Sequence, residues 1–211
     1  MSNIINILAG VVTKMGKRGR KKGANGEQSR KQLLDIAAEE FAHNGYYETK
    51  ISTIVKRAEL TQPTFYLYFK GKEEIFQELV NLFRAELSNL IKQSRLEPGI
   101  SLTSFPDNIK GKLTAIFQFF KGNPNLTQIG LFFALEAEKI KQQLSDQIEM
   151  NLIAEQQDGY FRTDIDMGIV ADSIMGIIER LTVTKLLSGL KTPEMLANEI
   201  VNLLVYGLHY Q

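Results

Sequence analysis

The chain has 211 residues, of which 44% are hydrophobic, so it is long enough to bury a substantial core in one large or two small domains. It contains no cysteine, which excludes a disulfide framework and thiolate metal sites and fits a cytoplasmic protein. The net charge of +1 hides an asymmetry, because residues 1–31 hold eight Lys or Arg against one Glu, whereas the remainder holds 17 basic and 23 acidic residues. Positive charge collected at one end is expected where that end meets a polyanion.

The first 26 residues predict a flexible extension and a basic arm. The apolar run from Ile4 to Val12 is too short to span a bilayer and its lysines follow it, so neither a membrane span nor a secretory signal is expected. Met15 offers a second possible start, which leaves open whether residues 1–14 belong to the native chain. This glycine-rich stretch is either a solvated tail or an arm that follows phosphates and enters a minor groove. The basic arm comprises Lys17, Arg18, Arg20, Lys21 and Lys22.

Residues 27–71 predict three helices. In the first, over 27–43, apolar residues recur with helical spacing, and a left-handed C-cap is expected at Asn44-Gly45. Thr49 is expected to cap a second, short helix with Lys50 in its first turn, and Thr61 is expected to cap a third over 62–69. A tight turn over 58–61 joins the two short helices, which is typical of a helix-turn-helix.

The exposed face of the third helix indicates contact with DNA bases. With Phe65 turned inward, Gln62, Pro63, Thr64 and Tyr66 face outward. The Gln62 amide suits adenine, the Thr64 hydroxyl suits either type of base, and the Pro63 ring suits a thymine methyl group. We therefore expect these three residues to contact bases.

The same region carries a set of residues at characteristic spacings: Ala37-Ala38, Phe41, Gly45-Tyr46, Thr49, Ile54, Ala58, Thr64, Tyr66, Phe69 and Lys72-Glu73. With these residues it resembles the N-terminal signature of the TetR family of helix-turn-helix transcriptional regulators. The resemblance covers residues 28 to 80, and residues 62–66 are close to the recognition helix of the tetracycline repressor. Glu59 departs from the family, which often has Gly in the turn. The resemblance implies phosphate contacts from Thr49, Lys50, Thr61, Tyr66, Tyr68 and Lys72, although Tyr66 and Tyr68 also suit a core position.

Residues 72–211 predict a helical bundle for ligand binding and dimerisation. A long helix over 72–95 is followed by a break over 97–106, and further helices are expected over 107–121, 124–134, 136–157, 166–188 and 193–209. Since no segment alternates like a strand, the predicted fold is all-α, with an N-terminal three-helix head and a C-terminal bundle. The predicted domains are residues 1–26, 27–71 and 72–211.

Aromatic and methionine side chains in the bundle suggest a pocket for an apolar or amphipathic small molecule, although such residues also build ordinary cores. The expected lining is Phe117, Phe120, Phe132, Phe133, Met150 and Met175.

The last two helices suggest a dimer face, because small and branched residues would let another helix approach closely. Burial inside one subunit is the alternative. The expected face is Ser173, Gly176, Ile177, Leu196, Ile200 and Leu203.

The expected protein is a cytoplasmic homodimeric repressor that leaves a pseudo-palindromic operator when it binds an unidentified small-molecule effector, with no cofactor, metal or catalytic site. Glu40 and His43 have the spacing of half a di-iron motif, but the required second copy is missing. Two alternatives stay open: a DNA-bound interaction module without an effector, and a helical carrier protein without a DNA role.

Overall fold

The structure is a computed structural model that describes residues 22–101 and 103–208. These residues form nine helices and no strand, which confirms the predicted all-α class. Three helices, α6, α8 and α9, each continue into a π-helical turn. The helices are α1 (Lys22–Glu48), α2 (Ile51–Arg57), α3 (Gln62–Tyr66), α4 (Lys72–Gln93), α5 (Phe105–Gly122), α6 (Pro124–Gln128), α7 (Ala137–Gln157), α8 (Met167–Leu181) and α9 (Pro193–Val201).

The chain divides into two compact units. The first comprises the N-terminal part through Arg84 together with Asn123–Ala137, and the second comprises Ala85–Gly122 and Glu138–Gln211. This division differs from the predicted boundary after residue 71, because the first half of α4 and the segment around α6 pack with the N-terminal helices.

The core of the first unit follows the apolar spacing of its helices. Leu33, Ala37 and Phe41 on α1 are fully buried, as is Phe65 on α3. Gly45 interrupts α1 with a positive φ of 74°, which agrees with the predicted break, although α1 begins earlier than expected and continues to Glu48 beyond it. The result is a three-helix head that presents α3.

Ion pairs fix the positions of these helices. Arg30 on α1 donates to both carboxylate oxygens of Glu78 on α4, at 2.7 and 2.6 Å, and its guanidinium lies 5.2 Å from the ring centre of Phe69. Arg57 on α2 donates to Glu39 and Glu40 of α1 at 2.5 and 2.6 Å. Glu40 is therefore half of an ion pair that joins α1 to α2.

The second unit is built from α5, α7, α8, α9 and the end of α4. Helix α9 packs along α5, and the rings of Phe105 and Tyr160 stack with centres 5.7 Å apart. Thr192 caps α9 by accepting a hydrogen bond from the Met195 N–H, and Pro193 is the first helical residue. These helices surround a cavity.

Candidate DNA-binding surface and ligand cavity

Helix α3 exposes one face and buries the other, as its helical spacing predicts. Phe65 is fully buried and anchors the helix, whereas Gln62 and Pro63 are exposed. Tyr66 is 56% exposed and Leu67 is 78% exposed. An uncovered surface with an amide, a phenol and two apolar groups has the donors, acceptors and methyl-contacting groups that base edges require.

Two threonines define the start of α3. The Thr61 hydroxyl accepts a hydrogen bond from the Thr64 N–H at 3.3 Å, so the expected N-cap is present. The two hydroxyl oxygens lie 2.9 Å apart, and Thr64 is half-buried. Thr64 is thus held at the edge of the exposed face.

Glu59 lies in the turn between α2 and α3 in the left-handed region, with a φ of 53°. It is the only non-glycine residue with positive φ among the described residues, and its side chain is exposed. The turn therefore carries backbone strain and a negative charge beside the candidate DNA-binding surface.

Thr49 lies in the interior, which differs from its expected roles as the N-cap of α2 and as a phosphate contact. It is 2% exposed, and its hydroxyl donates to the carbonyl oxygens of Gly45 at 2.7 Å and Glu40 at 3.2 Å. Lys50, not Thr49, occupies the N-cap position of α2. The Thr49 side chain joins α1 to α2, so its expected phosphate contact is wrong.

Lys72 also differs from its expected role. Its ammonium donates to the carbonyl oxygens of Tyr46 at 2.8 Å, Thr49 at 3.0 Å and Tyr47 at 3.2 Å. An ammonium has three donors, and these acceptors use all of them. Lys72 holds the last turn of α1 and its junction with α2, and its side chain is not free for phosphate.

The remaining phosphate candidates are accessible to different degrees. Lys50 is exposed and Tyr68 is half-buried. The basic arm lies outside the described residues except for Lys22, whose backbone begins α1. Tyr47 is 79% exposed, which nothing in its sequence context predicts. The exposure of Leu67 follows from the same helical spacing that turns Gln62 and Tyr66 outward.

A cavity of about 500 Å³ lies within the second unit. This volume falls in the range of about 300–1,000 Å³ that is common for small-molecule sites. Most of its wall is aliphatic or aromatic and comes from α5, α7, α8 and the segment before α8. The apolar lining includes Phe105, Ile109, Leu113, Ile116, Ile148, Leu152, Phe161, Met167, Ile174 and Ile178.

The cavity is not lined by the residues that the sequence analysis expected. Phe117 and Phe120 are fully buried in the core, and Met175 is 6% exposed without lining the cavity. Phe132 and Phe133 belong to the first unit, and Met150 is 65% exposed on α7. None of the six residues lines this cavity, because residue type does not distinguish the core, cavity and outer faces of a bundle.

The polar side chains that line the cavity already have partners within the chain. Asn151 donates to the Ile91 carbonyl oxygen at 2.8 Å, and Ser94 donates to the same oxygen at 2.7 Å. Arg162 forms a two-pronged ion pair with Asp164. The three others, Lys112, Glu155 and Tyr160, are also hydrogen-bonded. What the described wall offers a ligand is therefore chiefly apolar surface.

Glu155 is the carboxylate of this wall and is 5% exposed. Its Oε1 accepts a hydrogen bond of 2.7 Å from the Leu96 N–H. Burial raises the pKa of the Glu155 carboxyl above its ordinary value of 4.5, while the hydrogen bond from Leu96 acts in the opposite direction.

The expected dimer face is only partly on the surface. Ser173 and Gly176 are exposed on α8, and Leu203 is 39% exposed. Leu196 and Ile200 are 1% and 2% exposed, because α9 packs this stripe against α5. For these two residues the alternative of burial within one subunit is correct. Ile177 is half-buried.

The described residues contain no group of three or more His, Asp or Glu side chains placed to hold a metal ion. None of their helices is both long enough and apolar enough to cross a membrane.

Comparison with known proteins identifies clear relatives. Residues 33–79 match the model of bacterial regulatory proteins of the tetR family. The uncharacterized HTH-type transcriptional regulator YdgC of Bacillus subtilis is 43% identical over 185 residues, which cover 88% of this chain and 95% of that protein. The fatty acid metabolism regulator protein of the same organism is 31% identical over 191 residues, covering 84% and 94%.

The fold is shared with solved structures. The transcriptional regulator FadR from Bacillus subtilis in complex with stearoyl-CoA superposes with a TM-score of 0.64 at 26% identity, covering 84% of this chain and 98% of that one.

Proposed function

The chain belongs to the tetR family of bacterial regulatory proteins and is a helix-turn-helix transcriptional regulator, and from this premise we propose that it is a repressor released by a long-chain acyl compound. The homodimer binds a pseudo-palindromic operator in the cytoplasm. Its two α3 helices enter successive major grooves, about 34–36 Å apart or a multiple of that.

The proposed base contacts are Gln62, Pro63 and Thr64. The exposure of Gln62 and Pro63, beside Tyr66, supports this assignment. Lys50, Thr61, Tyr66 and Tyr68 are the proposed phosphate contacts, and the basic arm adds charge from the N-terminal side.

The proposed effector follows from the wall of the cavity. Since its polar side chains are hydrogen-bonded within the chain, a ligand gains free energy mainly by burying hydrocarbon. A fatty acyl chain fits this requirement. The structure of the related FadR with stearoyl-CoA supports the same class of compound.

Homodimerisation through α8 is supported by Gly176, because no contact within the chain requires a glycine at this position. Gly176 lies in the middle of α8, it is exposed, and a Cβ added there would have no atom within 4 Å. A glycine in the middle of a helix lowers helix stability by about 1 kcal/mol relative to alanine. The close approach of a helix from a second subunit would explain why glycine occupies this position. Gly176→Arg is expected to yield monomers in sedimentation analysis, and an intact dimer would contradict this interface.

The operator is identified by selecting genomic fragments that the purified protein binds and then sequencing them. Gln62→Ala is expected to relax the preference at one base position by about 1–3 kcal/mol. Lys50→Ala is the matched control, because losing a phosphate contact weakens all sequences alike. An unchanged ranking of operators in Gln62→Ala would contradict the base contact.

The effector is tested with a series of acyl-CoA thioesters of increasing chain length. Each methylene that enters the cavity is expected to add about 0.8 kcal/mol, roughly a fourfold gain in affinity, until the cavity is full. Leu152→Trp fills the cavity from α7 and should abolish this gain, whereas its neighbour Ile153→Trp lies outside the lining and should not. If no chain length stabilises the protein or releases it from DNA, the interaction-module alternative is favoured.

A further inference from the structure

The cavity reaches the surface beside a cation. Among the described lining residues, three are exposed: Arg162, Ile165 and Leu204. Ile165 and Leu204 are 38% and 42% exposed, and the Arg162 side chain is 70% exposed. An amphipathic ligand that buries its hydrocarbon keeps its charged head where water can reach it. Arg162 therefore lies where the head group of such a ligand would emerge.

The backbone of Arg162 is held in place by contacts within its own unit. The Gln156 amide on α7 donates to the carbonyl oxygen of Arg162 at 2.8 Å and to that of Ile165 at 3.3 Å. The ring of Phe161 packs edge-on against Phe105, with the ring centres 5.5 Å apart. The position of Arg162 at the opening is thus fixed before a ligand binds, which lowers the entropy cost of binding there.

An internal carboxylate occupies this arginine. Nε and Nη2 of Arg162 donate to the two carboxylate oxygens of Asp164 at 2.7 and 2.5 Å, which leaves three of the five guanidinium donors for a ligand. The hydrogen bond from Arg162 holds the pKa of the Asp164 carboxyl below its ordinary value of 3.8, so Asp164 is ionised at neutral pH. The two side chains are 70% and 64% exposed, and exposed ion pairs are weak. A stronger anion can therefore displace Asp164.

The kind of anion follows from this competition. The carboxylate of a free fatty acid has the same chemistry as Asp164, which is tethered close to Arg162 and therefore competes at a high effective concentration. A phosphate monoester carries a charge of about −1.5 to −2 at neutral pH and has three acceptor oxygens. Its geometry also matches the two-pronged donors of a guanidinium. A phosphate therefore gains affinity from Arg162 where a carboxylate does not.

Lys112, the other cation that lines the cavity, already has partners. It is half-buried, and its ammonium donates to the Gln93 carbonyl oxygen at 2.8 Å. Burial is the largest cause that raises the pKa of Glu155, and the charge of Lys112 acts against it, so these two wall residues are within electrostatic reach of each other. The Lys112 charge is thereby offset inside the wall, which leaves Arg162 for the ligand.

We propose that Arg162 forms a phosphate subsite at the opening of the cavity, and that Asp164 occupies it until a phosphate-bearing acyl compound displaces this carboxylate. The subsite selects acyl compounds with a phosphate in the head group over free fatty acids. This inference rests on the proposed function, because it narrows the class of acyl effector. Acyl-CoA thioesters and lysophospholipids share the required chemistry.

The test uses the full-length protein and stearoyl compounds that differ in the head group. Stearoyl lysophosphatidate and monostearoylglycerol carry the same chain with and without a phosphate, and stearoyl-CoA and stearate complete the set. Affinities are measured by calorimetry at concentrations below those at which the lipids aggregate. We expect both phosphate compounds to bind at least about fivefold more tightly than monostearoylglycerol, and stearate to show no such gain. The tighter of the two phosphate compounds identifies the source of the phosphate, a nucleotide carrier or a lipid head group.

Two variants act on the subsite itself. Arg162→Met should lower the affinity for both phosphate compounds to that for monostearoylglycerol and leave the neutral ligand unchanged. Asp164→Asn removes the internal competitor, so the phosphate compounds should bind more tightly and stearate should gain as well. Arg95→Met is the matched control, because Arg95 also pairs with an aspartate, Asp158 at 3.6 Å, and is 50% exposed without lining the cavity.

An unchanged preference for phosphate in Arg162→Met would overturn the subsite, as would an equal loss of this preference in Arg95→Met or Lys112→Met. Equal binding of all four ligands to the wild type would also overturn it, while the acyl effector would stand. If none of the ligands binds, the acyl effector and the subsite are both wrong. A preference for phosphate without release of the protein from its operator would support the subsite and contradict the proposed mode of repression.

Discussion

The ammonium of Lys72 lies 2.8 Å from the carbonyl oxygen of Tyr46 and 4.5 Å from the centre of the same residue's ring. With Tyr47 and Thr49 as further acceptors, this lysine stabilises the junction between α1 and α2. The resemblance to the TetR family had implied a phosphate contact, and the geometry instead assigns the side chain to the architecture of the head.

We therefore predict that Lys72→Met lowers stability more than it changes the salt dependence of DNA binding. Hydrogen bonds from a charged donor are typically worth about 1.5–3 kcal/mol, which is the expected loss in urea unfolding. Lys50→Met is the control at an exposed lysine: its stability should stay near that of the wild type, while the slope of log affinity against log salt should fall by about one. If Lys72→Met instead lowered the salt slope and left the stability unchanged, Lys72 would be a phosphate contact.

Glu59→Gly is predicted to stabilise the protein. Glu59 has a φ of 53°, and the left-handed conformation costs a non-glycine residue about 1–2 kcal/mol. The greater freedom of glycine in the unfolded chain offsets about 0.4–1 kcal/mol of that gain, which leaves a net increase of roughly 0.5–1 kcal/mol in unfolding free energy.

Lys56→Gly is the control, because Lys56 is exposed within α2 and glycine there should destabilise by about 1 kcal/mol. Removing the Glu59 charge should also strengthen operator binding at low salt. A lower melting temperature for Glu59→Gly would show that the turn is not strained.

Gly130→Ala is predicted to destabilise the first unit. A Cβ at Gly130 would lie 2.0 Å from Cδ1 of Phe83, which is fully buried and has little room to move. Overpacking of this kind typically costs about 1–3 kcal/mol. Gly111→Ala is the control on α5, where a Cβ meets no atom within 4 Å and the helix should gain up to about 1 kcal/mol. Urea midpoints that move in the same direction for both variants would contradict the close packing.

Glu155→Gln is predicted to flatten the pH dependence of stability. The folded protein raises the pKa of Glu155 above its ordinary value of 4.5, chiefly through burial. Between these two values the folded state holds more protons than the unfolded state, so the unfolding free energy falls as pH rises through this window. Glutamine keeps the acceptor for Leu96 and lacks the charge, which removes this contribution. Parallel pH profiles from pH 4 to 7 for the variant and the wild type would show that burial does not affect this carboxyl.

The sequence alone determined the all-helical class, the helix order and the outward face of α3. These properties depend on residues three or four positions apart, and this spacing can be read directly from the amino-acid sequence. Examples are Leu34 with Ala38 and Phe65 with Phe69. The same local signals identified the break at Gly45 and the cap at Thr61.

Only the tertiary structure decided which side chains line the cavity and what its polar groups do. Phe117 and Ile116 are adjacent and both apolar, yet Ile116 faces the cavity and Phe117 faces the core. The bonds from Asn151 to Ile91 and from Glu155 to Leu96 join residues about 60 positions apart. The physical reason is that helical periodicity specifies which face of a helix is apolar, whereas the packing of several helices decides whether that face meets a core, a cavity or a partner.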